Sequence, residues 1–72
     1  MKEIIVEVAN INGYYSAHLP ELPGCVTTGR SLKEIEYNIK EIVPFHLEGQ
    51  RDSGGKIPDV FNEAYSFVFK RL

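Results

Sequence analysis

Cys25, His18 and His46 are the residues of this chain that could carry out nucleophilic chemistry. A thiol beside an imidazole can act as a nucleophile with its general base, and both residue types bind zinc. The local pairs that support a zinc site, C-x-x-C or H-x-x-x-H, do not occur. Cys25 follows Pro23-Gly24 at the start of a predicted strand, where a thiol usually packs as a small apolar group. We therefore predict that Cys25 is structural, with no catalytic residue, no metal site and no cofactor.

The carboxylates of the predicted strands are the second set of residues that could carry chemistry. A metal-dependent nuclease needs several carboxylates to converge on one point. Glu3, Glu7 and Glu63 instead occur at or near the ends of predicted strands, where a solvated outer face accounts for them. No glycine-rich nucleotide-binding motif occurs either. A metal-dependent RNA-processing enzyme is therefore the weakest of the alternatives for function.

The stretch LPELPGC, residues 19–25, is better explained as a stiff bend between two strands. Pro20 and Pro23 fix φ and disfavour helix in the residues before them, and Gly24 can adopt a positive φ. Such a bend holds Glu21 toward solvent on a preorganised loop. We therefore predict that Glu21 contacts a partner.

Length and charge limit the classes of protein to consider. A chain of 72 residues is one small domain with little stability to spare, so residues 1–72 are assigned to a single domain. Eight basic and ten acidic side chains give a net charge of −2, which suits a basic protein partner better than a nucleic acid. The lone cysteine favours a reducing compartment, and no apolar run is long enough for a membrane span or a signal peptide. The expected location is the cytoplasm.

Four strands are predicted from the spacing of apolar and β-branched residues. Asn12-Gly13 is typical of a type I′ hairpin turn and joins the first two strands in an antiparallel pair. The proline-containing bend then leads from the second strand to the third. The predicted strands cover residues 3–9, 14–19, 25–29 and 63–71.

One helix is predicted between the third and fourth strands. Ser31 and Glu34 have the spacing of a capping box, which marks its start. Pro44 removes one helical hydrogen bond, so we expect a kink there or a second short helix that begins at Pro44. Residues 51–59 are predicted to be a loop because of their composition. The apolar stripe that faces the sheet is predicted to contain Leu32, Ile35, Ile39, Ile42 and His46.

These elements predict an α+β fold in the order β-β-β-α-β, with an antiparallel-rich four-stranded sheet and one helix packed on one face. The single helix leaves the opposite face of the sheet uncovered. We therefore expect a homo-oligomer, a dimer or a tetramer, that forms through the open sheet face or a sheet edge. The apolar residues expected to be exposed in a monomer are Ile5, Tyr14, Val26 and either Val68 or Phe67.

The central part of the chain, residues 14–49, resembles the HicB-like antitoxin family, also described as the UPF0150-type domain of bacteria and archaea. The resemblance extends over about residues 3 to 70 and includes GGKIPD, which is similar to a Gly-x-x-Ile-Pro segment of the family. The resemblance rests on the proline-containing bend and on the spacing of the helix residues. The matching positions are Tyr15, Ala17, Pro20, Leu22, Pro23, Gly24, Cys25, Thr27, Gly29, Asn38, His46, Leu47 and Glu48.

The resemblance implies a partial ribonuclease H-like fold without the catalytic carboxylates, which binds and neutralises a small basic HicA-type mRNA-cleaving toxin. Cys25 is structural in that interpretation. Many family members also carry a C-terminal DNA-binding domain, but this chain ends at Leu72. We therefore expect no such domain and no direct binding of DNA. The expected contact residues for a toxin are Glu21, Glu48 and Asp59.

Two alternatives to an antitoxin stay open at the level of the sequence. One is a solitary homo-oligomer that binds a small ligand or serves as a scaffold, without a toxin. The other is the metal-dependent RNA-processing enzyme, which would need three or more carboxylates in one cleft.

Overall fold

A computed structural model describes all residues from 1 to 72 and contains one four-stranded sheet and one long helix. The strand order is β3-β2-β1-β4, with β1 antiparallel to β2, β2 antiparallel to β3, and β4 parallel to β1. The predicted α+β class and order of elements are confirmed, and the sheet is mixed. The elements are β1 (Lys2–Ile11), β2 (Tyr14–His18), β3 (Val26–Gly29), α1 (Leu32–Asp52), a short 3-10 helix (Asp59–Asn62) and β4 (Tyr65–Arg71).

The hairpin between β1 and β2 forms at the predicted turn. Asn12 and Gly13 have φ values of 48° and 91°, the left-handed conformations that a type I′ turn requires. Ile11 is paired with Tyr14 directly beside the turn. This register places Ile4, Val6 and Val8 on the helix face of the sheet, where all three are buried.

The opposite face of the sheet has no covering element and carries the apolar residues expected there. Ile5, Tyr14 and Val26 are 38%, 42% and 63% exposed, and Val68 is half-buried. This open face, as we call it, is not purely apolar. A row across all four strands contains Val26, His18, Glu7 and Lys70.

Helix α1 begins with half of the predicted capping box, since the Ser31 side chain accepts a hydrogen bond from the Glu34 amide at 3.1 Å. The predicted apolar stripe is partly wrong. Leu32 is 39% exposed, and Ile42 and His46 are only half-buried. Val43 and Leu47 take those places because steps of four residues keep one side of the helix against the sheet. The buried residues of α1 are Ile35, Ile39, Val43 and Leu47.

Pro44 lies inside α1, and the helix continues through it to Asp52. The alternative of a second helix that begins at Pro44 is therefore wrong. Pro44 is exposed, so its ring points away from the sheet and does not disturb the core. The predicted loop at 51–59 begins later, at Ser53, and the last strand begins at Tyr65 and not at residue 63.

Candidate interaction site

The proline-containing bend between β2 and β3 is held by three buried apolar side chains at every third position: Leu19, Leu22 and Cys25. Backbone hydrogen bonds close two consecutive turns, from the Leu22 amide to the Leu19 carbonyl and from the Cys25 amide to the Leu22 carbonyl, both at 3.1 Å. The residues between these anchors point to solvent. Glu21 is therefore exposed on a fixed loop, as the sequence indicates.

Two glycines of the same region lie where a side chain would be constrained. Gly24 has a φ of 89°, a conformation that residues with a Cβ rarely adopt. Gly29, at the end of β3, lies against the start of α1, and a Cβ there would approach the Glu34 side chain to 3.3 Å. The backbone conformation therefore favours glycine at position 24, and the close approach leaves little space for a side chain at position 29.

Cys25 is buried and lies at the base of a groove that His46 also lines. Burial raises the pKa of the Cys25 thiol, because a thiolate is poorly solvated there. A nucleophilic cysteine needs the opposite shift. His18 lies on the open face of the sheet, where its Nε2 is 3.1 Å from Glu7 Oε1. The sheet therefore separates His18 from Cys25.

The groove beside Cys25 has a volume of about 410 Å³ and separates the bend from the C-terminal half of α1. Phe45 lines it and is 79% exposed. Val26 also borders it, although the register of β3 places the Val26 side chain on the open face. Gln50 also lines it, and its buried Oε1 atom has no hydrogen-bond partner. The groove therefore presents an exposed aromatic side chain, a residue type that is enriched in protein interfaces. We refer to Ile42, Phe45 and Gln50, which all line the groove from α1, as the groove surface.

The predicted contact residues Glu21, Glu48 and Asp59 are all exposed. Glu21 lies in the bend, Glu48 in the C-terminal half of α1 and Asp59 at the start of the 3-10 helix. No hydrogen bond or ion pair joins them to each other. Phe45 was not among the predicted contact residues. The available signal was its position outside the apolar stripe of α1, which places this large apolar side chain on the solvent side of the helix.

Asn38 connects α1 to β3, one of the two edge strands of the sheet. Its Nδ2 atom donates a hydrogen bond to the Thr28 carbonyl at 3.1 Å. This contact gives a structural reason for an asparagine in the middle of the helix, because the side chain satisfies a backbone acceptor of β3, an edge strand.

The acidic residues of the sheet do not gather into a site. Glu3 and Glu7 lie on the open face, and Glu7 contacts His18. No group of three or more His, Cys, Asp or Glu side chains is positioned to hold a metal ion. None of the helices combines the length and the hydropathy that a membrane span requires.

Three curated relatives are similar to most of this chain. A UPF0150 protein of Thermoplasma acidophilum is 38% identical over 58 residues, which are 81% of this chain and 84% of the relative. A UPF0150 protein of Archaeoglobus fulgidus is 38% identical over 52 residues, 72% of this chain and 75% of the relative. An uncharacterized 14.9 kDa protein of Haemophilus phage HP1 is 33% identical over 51 residues, which are 71% of this chain but only 38% of the phage protein.

No solved structure matches the chain at a significant level. The family model described as "HicB_like antitoxin of bacterial toxin-antitoxin system" matches residues 3–66, which include the bend, the groove surface and the whole of α1. The chain therefore belongs to the HicB-like antitoxin family.

Proposed function

We propose that this protein binds a small basic HicA-type mRNA-cleaving toxin and blocks its activity without itself catalysing a reaction. The observation that carries the proposal is the family match over residues 3–66. The raised pKa of Cys25 and the separation of His18 from it agree with a role in binding. We further propose that the protein works in the cytoplasm, as a homo-oligomer, in a partial ribonuclease H-like fold and without direct contact to DNA.

The toxin contact in this proposal is centred on the groove surface. Phe45 supplies exposed apolar area, and burying exposed aromatic side chains is a common source of binding energy in protein interfaces. Glu21, Glu48 and Asp59 are exposed and add negative charge that complements a basic partner. Inhibition then arises because the bound chain covers the RNA-binding and catalytic surface of the toxin.

The test is an RNA-cleavage assay with the purified chain and the small basic protein encoded by a neighbouring reading frame. We expect the toxin to cleave RNA, the chain alone to leave RNA intact, and a stoichiometric mixture to show no cleavage. Undiminished toxin activity at an excess of this chain would refute the antitoxin role. Cleavage by this chain alone, lost on chelation of metal, would favour the enzyme alternative.

The groove surface is tested with a pair of exposed aromatic residues on α1. Phe45→Ala should weaken toxin binding at least about tenfold, because it removes the largest apolar side chain of the contact. Tyr37→Ala is the matched control: Tyr37 is 65% exposed on the same helix but does not line the groove. It should change the Kd less than about threefold. Equal effects of the two substitutions would place the toxin elsewhere on the molecule.

A further inference from the structure

The two edges of the sheet are protected to different degrees. The β3 edge has only four residues, and Asn38 from α1 bonds to its Thr28 carbonyl. The β4 edge has seven residues and pairs with β1 on one side only. An unprotected edge strand presents backbone donors and acceptors to any strand that can pair with it.

The backbone groups at the β4 edge can be assigned from two hydrogen bonds. The Ala64 carbonyl accepts from the Lys2 amide at 3.2 Å, and the Leu72 amide donates to the Val8 carbonyl at 2.8 Å. The even-numbered residues of this segment therefore face β1, because successive residues point to opposite edges of a strand. The amides and carbonyls directed to the free edge belong to Tyr65, Phe67, Phe69 and Arg71.

The side chains beside this edge are also incompletely covered. Tyr65, Phe67 and Phe69 lie on the helix face of the sheet and form a row of aromatic contacts with ring centroids 5.5 and 6.4 Å apart. All three are only half-buried, because α1 packs mainly over β2 and β3. A groove of about 430 Å³ separates this row from Glu36 and Lys40 of α1.

We propose that a second copy of this chain pairs with β4, antiparallel and around a two-fold axis at Val68. Two four-stranded sheets then join into one continuous sheet of eight strands. Phe67 of each copy lies opposite Phe69 of the other on the helix face, so the two aromatic rows cover each other. This surface differs from the toxin contact, and the inference holds whether or not a toxin binds.

The sequence of β4 is complementary to itself in this register. Tyr65 lies opposite Arg71, which allows a cation–π contact, and Ser66 lies opposite Lys70. No two like charges are directly opposed, although the strand ends in two cations. All four outward-facing residues of one copy also meet outward-facing residues of the other, so each unpaired amide finds a carbonyl. This self-complementarity favours a second copy over an unrelated strand.

A disulfide experiment tests both the edge and the register. In a Cys25→Ala background, Val68→Cys places two thiols across the two-fold axis, at a non-hydrogen-bonded pair with a Cα separation of about 4.5 Å that suits a disulfide. Ile5→Cys is the matched control, because Ile5 is the neighbour of Val68 on the open face but lies in an inner strand. We expect the Val68 variant to form covalent dimers on mild oxidation at least about tenfold faster.

A charge experiment tests the same axis without a cross-link. Val68→Lys places two cations opposite each other and should raise the dimer Kd at least about tenfold. Ile5→Lys adds the same charge to the adjacent strand and should change the Kd less than about threefold. Sedimentation equilibrium at micromolar concentrations reports the Kd, and circular dichroism shows whether each variant is folded.

A strictly monomeric wild-type chain would overturn the proposal. Cross-linking of the Ile5→Cys variant as fast as the Val68→Cys variant would also overturn it, in favour of pairing through the open face. If Val68→Lys unfolds the domain, the cross-linking rates of the two cysteine variants alone test the pairing of β4. A dimer that fails to inhibit any toxin would count against the proposed function and leave the β4 pairing intact.

Discussion

Cys25 illustrates how a residue suited to chemistry is used for packing. Its side chain is 2% exposed and forms part of the core with Leu19 and Leu22. Burial raises the pKa of the thiol, so the neutral form is favoured in the folded protein. The folded chain therefore holds the thiol proton to a higher pH than the unfolded chain does.

The raised pKa of Cys25 predicts that its contribution to the free energy of unfolding depends on pH. Below the ordinary thiol pKa of 9.0 both states carry the proton, and the contribution of Cys25 is complete. As the pH rises above that value the unfolded state loses its proton first, so the contribution falls. Cys25→Ala should cost about 1 to 2 kcal/mol near neutral pH. Its cost should shrink at about pH 10, as measured by urea unfolding of both proteins; a constant difference would contradict the assignment.

At the scale of elements, α1 decides which residues form the core. Ile35, Ile39, Val43 and Leu47 are buried, whereas Leu32 at the helix start is not. The helix adds a surface ion pair between Glu36 and Lys40 at 3.0 Å. Such exposed pairs contribute little to stability. Packing of the buried row therefore holds α1 on the sheet.

Because burial differs along α1, we expect truncation of a small buried side chain to cost more stability than truncation of a larger exposed one. Val43→Ala should lower the free energy of unfolding by about 2 kcal/mol, because it removes two fully buried carbon atoms. Leu32→Ala removes three carbon atoms from a side chain that is 39% exposed and should cost less than about 1 kcal/mol. Thermal and urea unfolding compare the two variants. A larger loss of unfolding free energy for Leu32→Ala would instead support the apolar stripe predicted from the sequence, which includes Leu32.

At the scale of the whole molecule, charge is expected to affect the rate of encounter with a basic toxin. The chain has a net charge of −2, and Glu21, Glu48 and Asp59 are exposed. Electrostatic attraction mainly speeds association, whereas the buried contact sets the rate of dissociation. Added salt should therefore slow association with the toxin more than it speeds dissociation, as surface plasmon resonance can measure.

Two charge-reversal variants distinguish the effect of a local contact on toxin binding from the effect of net charge. Glu48→Lys and Glu3→Lys change the net charge equally, but Glu3 lies on the open face of the sheet. We expect Glu48→Lys to weaken the complex at least about fivefold and Glu3→Lys less than about twofold. Equal losses would show that only the total charge matters.

Local sequence patterns determined the elements of this protein and much of its bend. Asn12-Gly13 specifies a turn by its backbone conformations, Ser31 and Glu34 mark a helix start, and the alternation in the strands separates their two faces. Each of these signals involves residues close together in the chain. The spacing of Leu19, Leu22 and Cys25, all buried, is of the same kind.

Tertiary structure decided the choices for which the sequence allows more than one answer. The apolar residues of α1 include the adjacent pair Ile42 and Val43, so their periodicity fits two stripes, and only contact with the sheet selects Val43. Strand order likewise has no local signal, yet it puts β4 at an edge and parallel to β1. The groove beside Phe45 forms only when the bend packs against a distant part of the chain. Such features depend on long-range packing, which local spacing does not encode.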